Sequence, residues 1–160
     1  MANKSKLCIL WLLVALWMLL IFLFSAQVAT ESSGLSGRIC RVVAGIITPG
    51  FDELPEAEQA AIVDNLQTIV RKTAHVTEYA ILGGLLMLAL LQYDKPIKWQ
   101  ALIALTIAVL YAATDELHQL LVVGRSCEMR DVMIDGFGAI IGIGLIIGAR
   151  AVREFLVAKR

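Results

Sequence analysis

The chain has 160 residues, of which 59% are hydrophobic and 18% are charged, and its formal net charge is zero. Its mean hydropathy is +0.78, whereas a typical soluble domain is about half apolar and about one quarter charged. The excess of apolar residues predicts an integral membrane protein with a single domain, residues 1–160. The neutral charge argues against a nucleic-acid partner.

Four apolar runs are long enough to cross a membrane, which requires about 20 mostly apolar residues. They cover residues 7–24, 73–91, 97–117 and 132–149. The first run is similar to a signal peptide because basic residues precede it, but its 18 uncharged residues exceed the roughly 7–15 of a signal peptide's apolar region. We therefore predict an all-α fold with four transmembrane helices, the first of them uncleaved.

The distribution of charge predicts which side of the membrane each connecting segment faces. With both termini in the cytoplasm, eight basic residues lie inside and six lie outside, and twelve of the fourteen acidic residues lie outside. The inner basic residues occupy short tails and a short loop, where basic residues direct orientation most strongly. We predict cytoplasmic N- and C-termini and a long outer loop, residues 25–71.

This outer loop contains two amphipathic patterns. Two sets of aliphatic residues recur at helical spacing, namely Leu35, Ile39, Val42, Val43, Ile46 and Ile47, and then Ile62, Leu66, Ile69 and Val70. The sequence Thr48-Pro49-Gly50 separates them as a turn. The pattern predicts two short helices that lie in the membrane interface, with a lid over an outer cavity as the alternative.

Three groups of polar residues lie at the predicted outer ends of the second, third and fourth spans. They are Arg71, Lys72, His75, Glu78 and Tyr79; then Tyr111, Asp115, Glu116, His118 and Gln119; and then Arg125, Arg130, Asp131 and Asp135. A charged residue at the centre of a membrane helix costs about 2.5–3.5 kcal/mol, so such residues indicate function by default. Because the three ends lie at a similar depth, we expect the groups to converge on one site.

Structural roles are the alternative for parts of these groups. Arg71 and Lys72 also fit interfacial anchors, and His75 and Glu78 also fit a polar contact between helices. Asp131 also fits the start of a helix, where acidic residues are favourable. Two pairs of glycines have the spacing of close helix packing, namely Gly138 with Gly142 and Gly144 with Gly148.

Taken together, these motifs resemble the VanZ-like family. The resemblance rests on residues 71–79 (RKTAHVTEY), 115–119 (DELHQ) and 124–126 (GRS), followed by Asp131 and Asp135 before a glycine-rich helix. It covers about residues 22–148, in the order of the family. It implies a small multi-pass protein of the bacterial plasma membrane whose founding member lowers sensitivity to the glycopeptide teicoplanin, and it implies no established reaction or cofactor.

One hypothesis is that the outer site binds an anionic envelope component without changing it. The partner would be a membrane lipid such as a polyprenyl phosphate. Arg71, Arg125 and Arg130 would hold its phosphate, because guanidinium groups bind such oxygens in pairs. The remaining candidate binding residues are Lys72, His75, Tyr79, Glu116, Gln119, Asp131 and Asp135.

Two further hypotheses remain open. In an enzyme acting on an envelope lipid, Glu78 or His118 would be the general acid or base, and Asp115 would orient the imidazole. A metal-assisted version is suggested by the three-residue spacing of His75 with Glu78 and of Asp115 with His118. The third hypothesis is a small transporter or lipid scramblase, for which four helices are few unless the chain forms an oligomer.

Overall fold

The computed structural model describes residues 4–26, 29–121 and 129–159, with the backbone alone for residues 29–36. Within these ranges the chain forms five α-helices and one 3-10 turn, Phe51–Glu53, and no strand. The helices are α1 (Lys4–Ser25), α2 (Ala29–Ile47), α3 (Glu56–Leu90), α4 (Ile97–Gln119) and α5 (Met129–Ala158). Four of them, α1, α3, α4 and α5, are long and apolar enough to cross a membrane, which confirms the predicted all-α membrane fold.

The second membrane helix is longer than predicted. α3 begins at Glu56 instead of near residue 73, so the second amphipathic pattern is its first half and not a separate helix. No glycine or proline interrupts the chain from Glu56 to Leu82, and acidic residues in the first turn stabilise the positive end of the helix dipole. At about 1.5 Å per residue, its 35 residues span about 52 Å, well beyond the roughly 30 Å of a hydrocarbon core. α5 is also longer than predicted and ends at Ala158.

The first amphipathic pattern forms α2, which folds back on the first half of α3 to make a hairpin (residues 29–72). Gly50, with a φ angle of 71°, turns the chain between the two helices. Cys40 and Ala44 of α2 are buried together with Val63 of α3. One hairpin attached to α3 therefore replaces the predicted pair of separate loop helices.

α3 and α5 pack in parallel with their backbones in contact. A Cβ atom added to Gly138 of α5 would overlap the carbonyl oxygen of Val76 on α3, and one added to Gly142 would overlap that of Ala80. These four residues form what we call the glycine seam. The two helix backbones can approach this closely because neither glycine has a side chain, as the spacing of Gly138 and Gly142 predicts.

The other predicted glycine pair does not pack within the chain. Gly144 and Gly148 are exposed, and an added Cβ atom at either would meet no atom within 4 Å. Successive residues of a helix are about 100° apart, so Gly144 points away from the face that carries Gly142. The prediction that all four glycines serve packing is therefore wrong for Gly144 and Gly148 within this chain.

α4 approaches the other helices through a row of small side chains. Three fully buried alanines lie four residues apart on one face: Ala104, Ala108 and Ala112. The same face continues to Asp115 and Glu116, which are 3% and 1% exposed. The packing that buries the alanines therefore also buries two carboxyl groups at the end of α4.

We expect Gly142→Ala to lower the free energy of unfolding by about 2 kcal/mol, because the added methyl group overlaps the Ala80 carbonyl and separates α3 from α5. Gly144→Ala is the matched control, since its methyl group meets no atom and alanine favours a helix over glycine. Thermal unfolding of the purified protein in lipid nanodiscs measures both changes. Equal effects of the two substitutions would contradict the backbone contact.

Candidate functional site

Polar residues from three helices meet at one end of the bundle, which we call the site end. α3 and α5 run in parallel, because Val76 contacts Gly138 and Ala80 contacts Gly142 further along both helices. α4 lies between them in the chain and runs in the opposite direction. The C-terminal end of α4 therefore lies at the same level as His75 of α3 and the first turns of α5.

His75 and Asp135 form the inner pair of the site end. Nδ1 of His75 lies 3.2 Å from Oδ1 of Asp135, whose side chain is fully buried. Asp135 precedes Gly138 by about one turn, so the contact of Gly138 with Val76 sets the register that brings Asp135 to His75. The second carboxylate oxygen of Asp135, Oδ2, is buried and has no hydrogen-bond partner among the described residues.

Lys72 and Asp131 form a second pair about one turn nearer the helix N-termini. Nζ of Lys72 lies 3.8 Å from Oδ1 of Asp131, and the two side chains are 33% and 21% exposed. A solvent-exposed ion pair contributes about 0–1 kcal/mol, and this separation is long for a direct contact. The Lys72 ammonium group therefore remains able to bind another anion.

α4 contributes buried polar groups whose contacts differ from those predicted. Nε2 of Gln119 donates a hydrogen bond of 3.3 Å to Oδ2 of Asp115. The His118 ring stacks on Phe22 of α1, with 4.3 Å between ring centroids, and its Nε2 atom has no partner among the described residues. The predicted contact in which Asp115 orients His118 is therefore not formed, and the carboxylate–imidazole pair is His75 with Asp135.

Hydrogen bonds to α1 hold the site end together on another side. The Trp17 indole nitrogen donates to the backbone oxygen of Glu78 at 2.9 Å, and the Tyr111 hydroxyl group donates to the backbone oxygen of Met18 at 2.5 Å. Tyr79 is fully buried and its ring centroid lies 6.4 Å from that of Tyr111. Its hydroxyl group is buried and has no partner within the described ranges. Tyr79 is therefore a residue of the bundle interior.

Electrostatic interactions link the three helices. The carboxylates of Asp135, Glu78 and Asp115 act on the His75 ring, and Asp115 and Asp135 also act on the Tyr79 hydroxyl group. We call these five residues the polar cluster. The structure thus brings together the core of the three predicted groups, with buried Glu116 and Gln119 beside them on α4. The catalytic or binding roles assigned to them stay predictions.

The predicted arginines are not members of the polar cluster. Arg71 and Arg130 are exposed, and Arg125 lies outside the described residues. The polar cluster contains three carboxyl groups and one imidazole, so it suits a cation or a hydrogen-bond donor better than a phosphate. Arg71 and Arg130 thus lie at the protein surface, and their predicted role in holding a phosphate stays a prediction.

A groove lies beside the glycine seam. It has a volume of about 370 Å³ and is lined by Ile69, Lys72, Thr73, Val76 and Ile134. Ile134 faces this groove while the adjacent Asp135 faces His75. Successive residues of a helix point about 100° apart, so the groove and the polar cluster flank the contact between α3 and α5.

The aliphatic residues of the groove were not among the predicted site residues, because the sequence does not distinguish an aliphatic side chain that lines a groove from one that faces lipid. A spacing signal was present, since a cation lies four residues before an aliphatic residue on both helices. Lys72 precedes Val76 on α3, and Arg130 precedes Ile134 on α5. Residues four apart lie on the same face of a helix.

The predicted metal-ligand pairs do not come together. Within the described ranges, no three His, Cys, Asp or Glu side chains are close enough to surround one metal ion. The pairs His75 with Glu78 and Asp115 with His118 thus do not form the four-ligand arrangement found in bundle proteins that use such spacing. A site built from imidazole and carboxylate ligands is not favoured by this geometry.

We expect a double-mutant cycle of His75→Gln and Asp135→Asn to give a coupling energy of about 0.6–1.7 kcal/mol, which lies between the average and the maximum measured for hydrogen bonds between membrane helices. The cycle of Lys72→Gln and Asp131→Asn is the control, and we expect about 0.5 kcal/mol or less because this pair is long and partly exposed. Unfolding of the single and double variants in nanodiscs measures both. Additive effects at His75 and Asp135 would show that the pair does not join the helices.

Comparison with known proteins is consistent with these motifs. The sequence model of the family described as VanZ/LLP1 matches residues 10–152, which includes all three polar groups and most of the four membrane helices. No curated protein and no solved structure matches the chain. The family match covers far more than half of the 160 residues, so the chain belongs to the VanZ/LLP1 family.

Proposed function

We propose that this protein binds an anionic lipid of the bacterial cell envelope at the outer face of the plasma membrane, and thereby lowers sensitivity to teicoplanin. The observation that carries the proposal is the groove beside the glycine seam, whose lining combines aliphatic side chains with one cation, Lys72. Ile69, Val76 and Ile134 give it an apolar interior, and Lys72 lies at its rim. Such a combination fits a molecule with a hydrocarbon chain and an anionic group.

The polar part of the ligand would bind at two cations. Lys72 and Arg130 each lie one turn before an aliphatic residue of the groove, and both are at least partly exposed. The Thr73 hydroxyl group already donates a hydrogen bond of 2.9 Å to the Ile69 backbone oxygen, so it is occupied. A phosphate placed between Lys72 and Arg130 would have charge-assisted hydrogen bonds from both, as Arg and Lys provide at other phosphate sites.

Charge supports an outer position for the site end. The opposite end of the bundle carries exposed Arg150 and Arg153 on α5 and Lys95 and Lys98 around the start of α4. Basic residues in short segments favour the cytoplasmic side. With this orientation, the groove opens toward lipid in the outer leaflet, where polyprenyl-phosphate carriers of envelope precursors would be within reach.

The effect on teicoplanin is proposed from the family resemblance. Teicoplanin carries a lipid tail, whereas vancomycin does not. A protein that binds an anionic lipid at the membrane surface would therefore change the access of teicoplanin to the membrane more than that of vancomycin. An equal effect on the two antibiotics would count against this proposal.

An enzyme acting on the same lipid is a second candidate. The observation that favours it is the buried pair of His75 and Asp135, since an imidazole oriented by a carboxylate can act as a general base. The pair lies across the seam from the groove, so a substrate would have to reach it over the outer ends of α3 and α5. Mass spectrometry of lipid incubated with the protein would detect a product, and unchanged lipid would exclude this candidate.

We expect Lys72→Gln to weaken binding of a fluorescent polyprenyl phosphate about tenfold, because one charge-assisted hydrogen bond contributes about 1.5–3 kcal/mol. Ile134→Trp should also weaken binding by filling the groove. Ile140→Trp is the matched control, because Ile140 lies on the same helix, outside the groove, with 53% exposure. Fluorescence anisotropy in nanodiscs measures all three, and equal binding by Ile134→Trp and Ile140→Trp would place the ligand elsewhere.

We expect the wild-type chain to raise the minimal inhibitory concentration of teicoplanin in a Gram-positive host, and Lys72→Gln to lose this protection at matched membrane levels. Three further variants test the polar side of the site, because each removes an ionisable group with little change in side-chain volume. They are Glu78→Gln, Asp115→Asn and His118→Gln. Loss of protection in these variants would show that the polar cluster is required for protection against teicoplanin. Full protection by all three would show that their role is structural.

A further inference from the structure

The hairpin carries an exposed apolar face on α2. Cys40 and Ala44 of this helix are buried against α3, but five aliphatic side chains on its other sides are exposed, from 38% for Val43 to 78% for Ile46. The five, which we call the α2 face, are Ile39, Val42, Val43, Ile46 and Ile47. An apolar patch of more than about a few hundred Å² on a protein surface marks an interaction site.

The hairpin has a small core of its own. In the described part of the chain, the fully buried residues between its helices are Cys40, Ala44, Phe51 and Val63, with Leu54, Ile62 and Leu66 packed against them. A helix in a protein gains most of its stability from packing of its apolar face. The α2 face therefore lacks the contact that would stabilise it within this chain.

The α2 face lies beyond the reach of the lipids around the bundle. Arg41 Nη1 donates a hydrogen bond of 3.5 Å to Oε1 of Gln59, so residue 41 lies level with residue 59 of α3. Gln59 lies about 20 Å along the helix before Lys72, where the predicted span begins, and a headgroup layer adds only about 5–8 Å to the hydrocarbon core. Because α2 runs opposite to the first half of α3, Ile46 lies farther out still.

We propose that the α2 face binds the same face of a second copy of this chain, so that two hairpins form a four-helix bundle outside the membrane. Two-fold dimers are the commonest oligomers, and paired helical hairpins bury their apolar faces in such a bundle. Two chains that insert into one bilayer in the same direction are related by an axis along the membrane normal. This axis places the two hairpins side by side at the same level.

The distribution of charge agrees with self-association. A two-fold interface brings residues near their own copies, so charged residues within it would repel each other. The segment 42–47, which supplies most of the α2 face, contains no charged residue. Arg41 contacts Gln59 of its own chain, and Arg38 lies one turn before Val42, at the margin of the face. The dimer does not depend on the proposed lipid.

The first test is sedimentation equilibrium of the full-length protein in a density-matched detergent, which covers the membrane helices. We expect the wild-type chain to form a dimer of twice 17.4 kDa. Ile46→Glu should weaken dimerisation about tenfold or more, because it places two carboxylates in the interface. It should keep the wild-type helix content in circular dichroism, since Ile46 is 78% exposed.

Ala60→Glu is the matched control and should dimerise like the wild type. Ala60 is exposed and shares a face of α3 with Glu56 and Asp64, four residues to either side. A wild-type chain that stays monomeric at every concentration would overturn the proposal. Equal dimerisation of Ile46→Glu and the wild type would also overturn it, because the dimer would then form through another surface.

Photo-crosslinking in liposomes that contain this protein alone identifies what contacts the α2 face. The photoreactive amino acid p-benzoylphenylalanine in place of Ile46 should give a product of twice the chain mass. The same amino acid in place of Ala60 should give none. Crosslinking of position 46 to lipid alone would place the α2 face in the membrane and overturn the proposal. Equal dimer yields at both positions would indicate random collision and would overturn it as well.

Discussion

The backbone contact between α3 and α5 is the constraint on which the rest of the structure depends. Gly138 and Gly142 leave no side chain between the helices, and the backbone oxygens of Val76 and Ala80 occupy that space. In a bilayer, helices gain little from apolar burial against each other, so close packing must supply the association. The same contact sets the register, and the register brings His75 to Asp135 and Lys72 to Asp131. Glycines and backbone groups that serve only packing thereby determine which polar side chains contact each other at the site end.

The contact also divides the site end into two environments. On one side lie buried Tyr79 and the buried carboxyl groups of Asp115 and Asp135, which have oxygen atoms without a hydrogen-bond partner among the described residues. On the other side, an open apolar groove ends at Lys72. A phosphate is unfavourable among carboxylates and favourable beside an ammonium group, whereas the opposite holds for a cation. The polar cluster and the groove thus favour ligands of opposite charge although they lie close together on the two sides of the glycine seam.

Hydropathy is sufficient to predict the four membrane helices, because this signal is local and an α-helix that spans a membrane needs about 20 apolar residues. The continuity of α3 differs from the predicted division into an outer loop ending at residue 71 and a span beginning at residue 73, because no residue near that boundary breaks a helix. The pairing of His75 with Asp135, in place of Asp115 with His118, depends on the register between helices. No periodicity within one helix contains that register, and the groove residues Ile69 and Ile134 depend on it in the same way.

The length of α3 has a mechanical consequence. Its 35 residues form one rod without proline, and its only glycines lie beyond the site end, at Gly83 and Gly84. The hairpin half and the membrane half therefore cannot turn independently. A rotation of the hairpin half would therefore also move Lys72 and His75, against the backbone contact with α5. The length of α3 thus couples the hairpin mechanically to the contact that assembles the site.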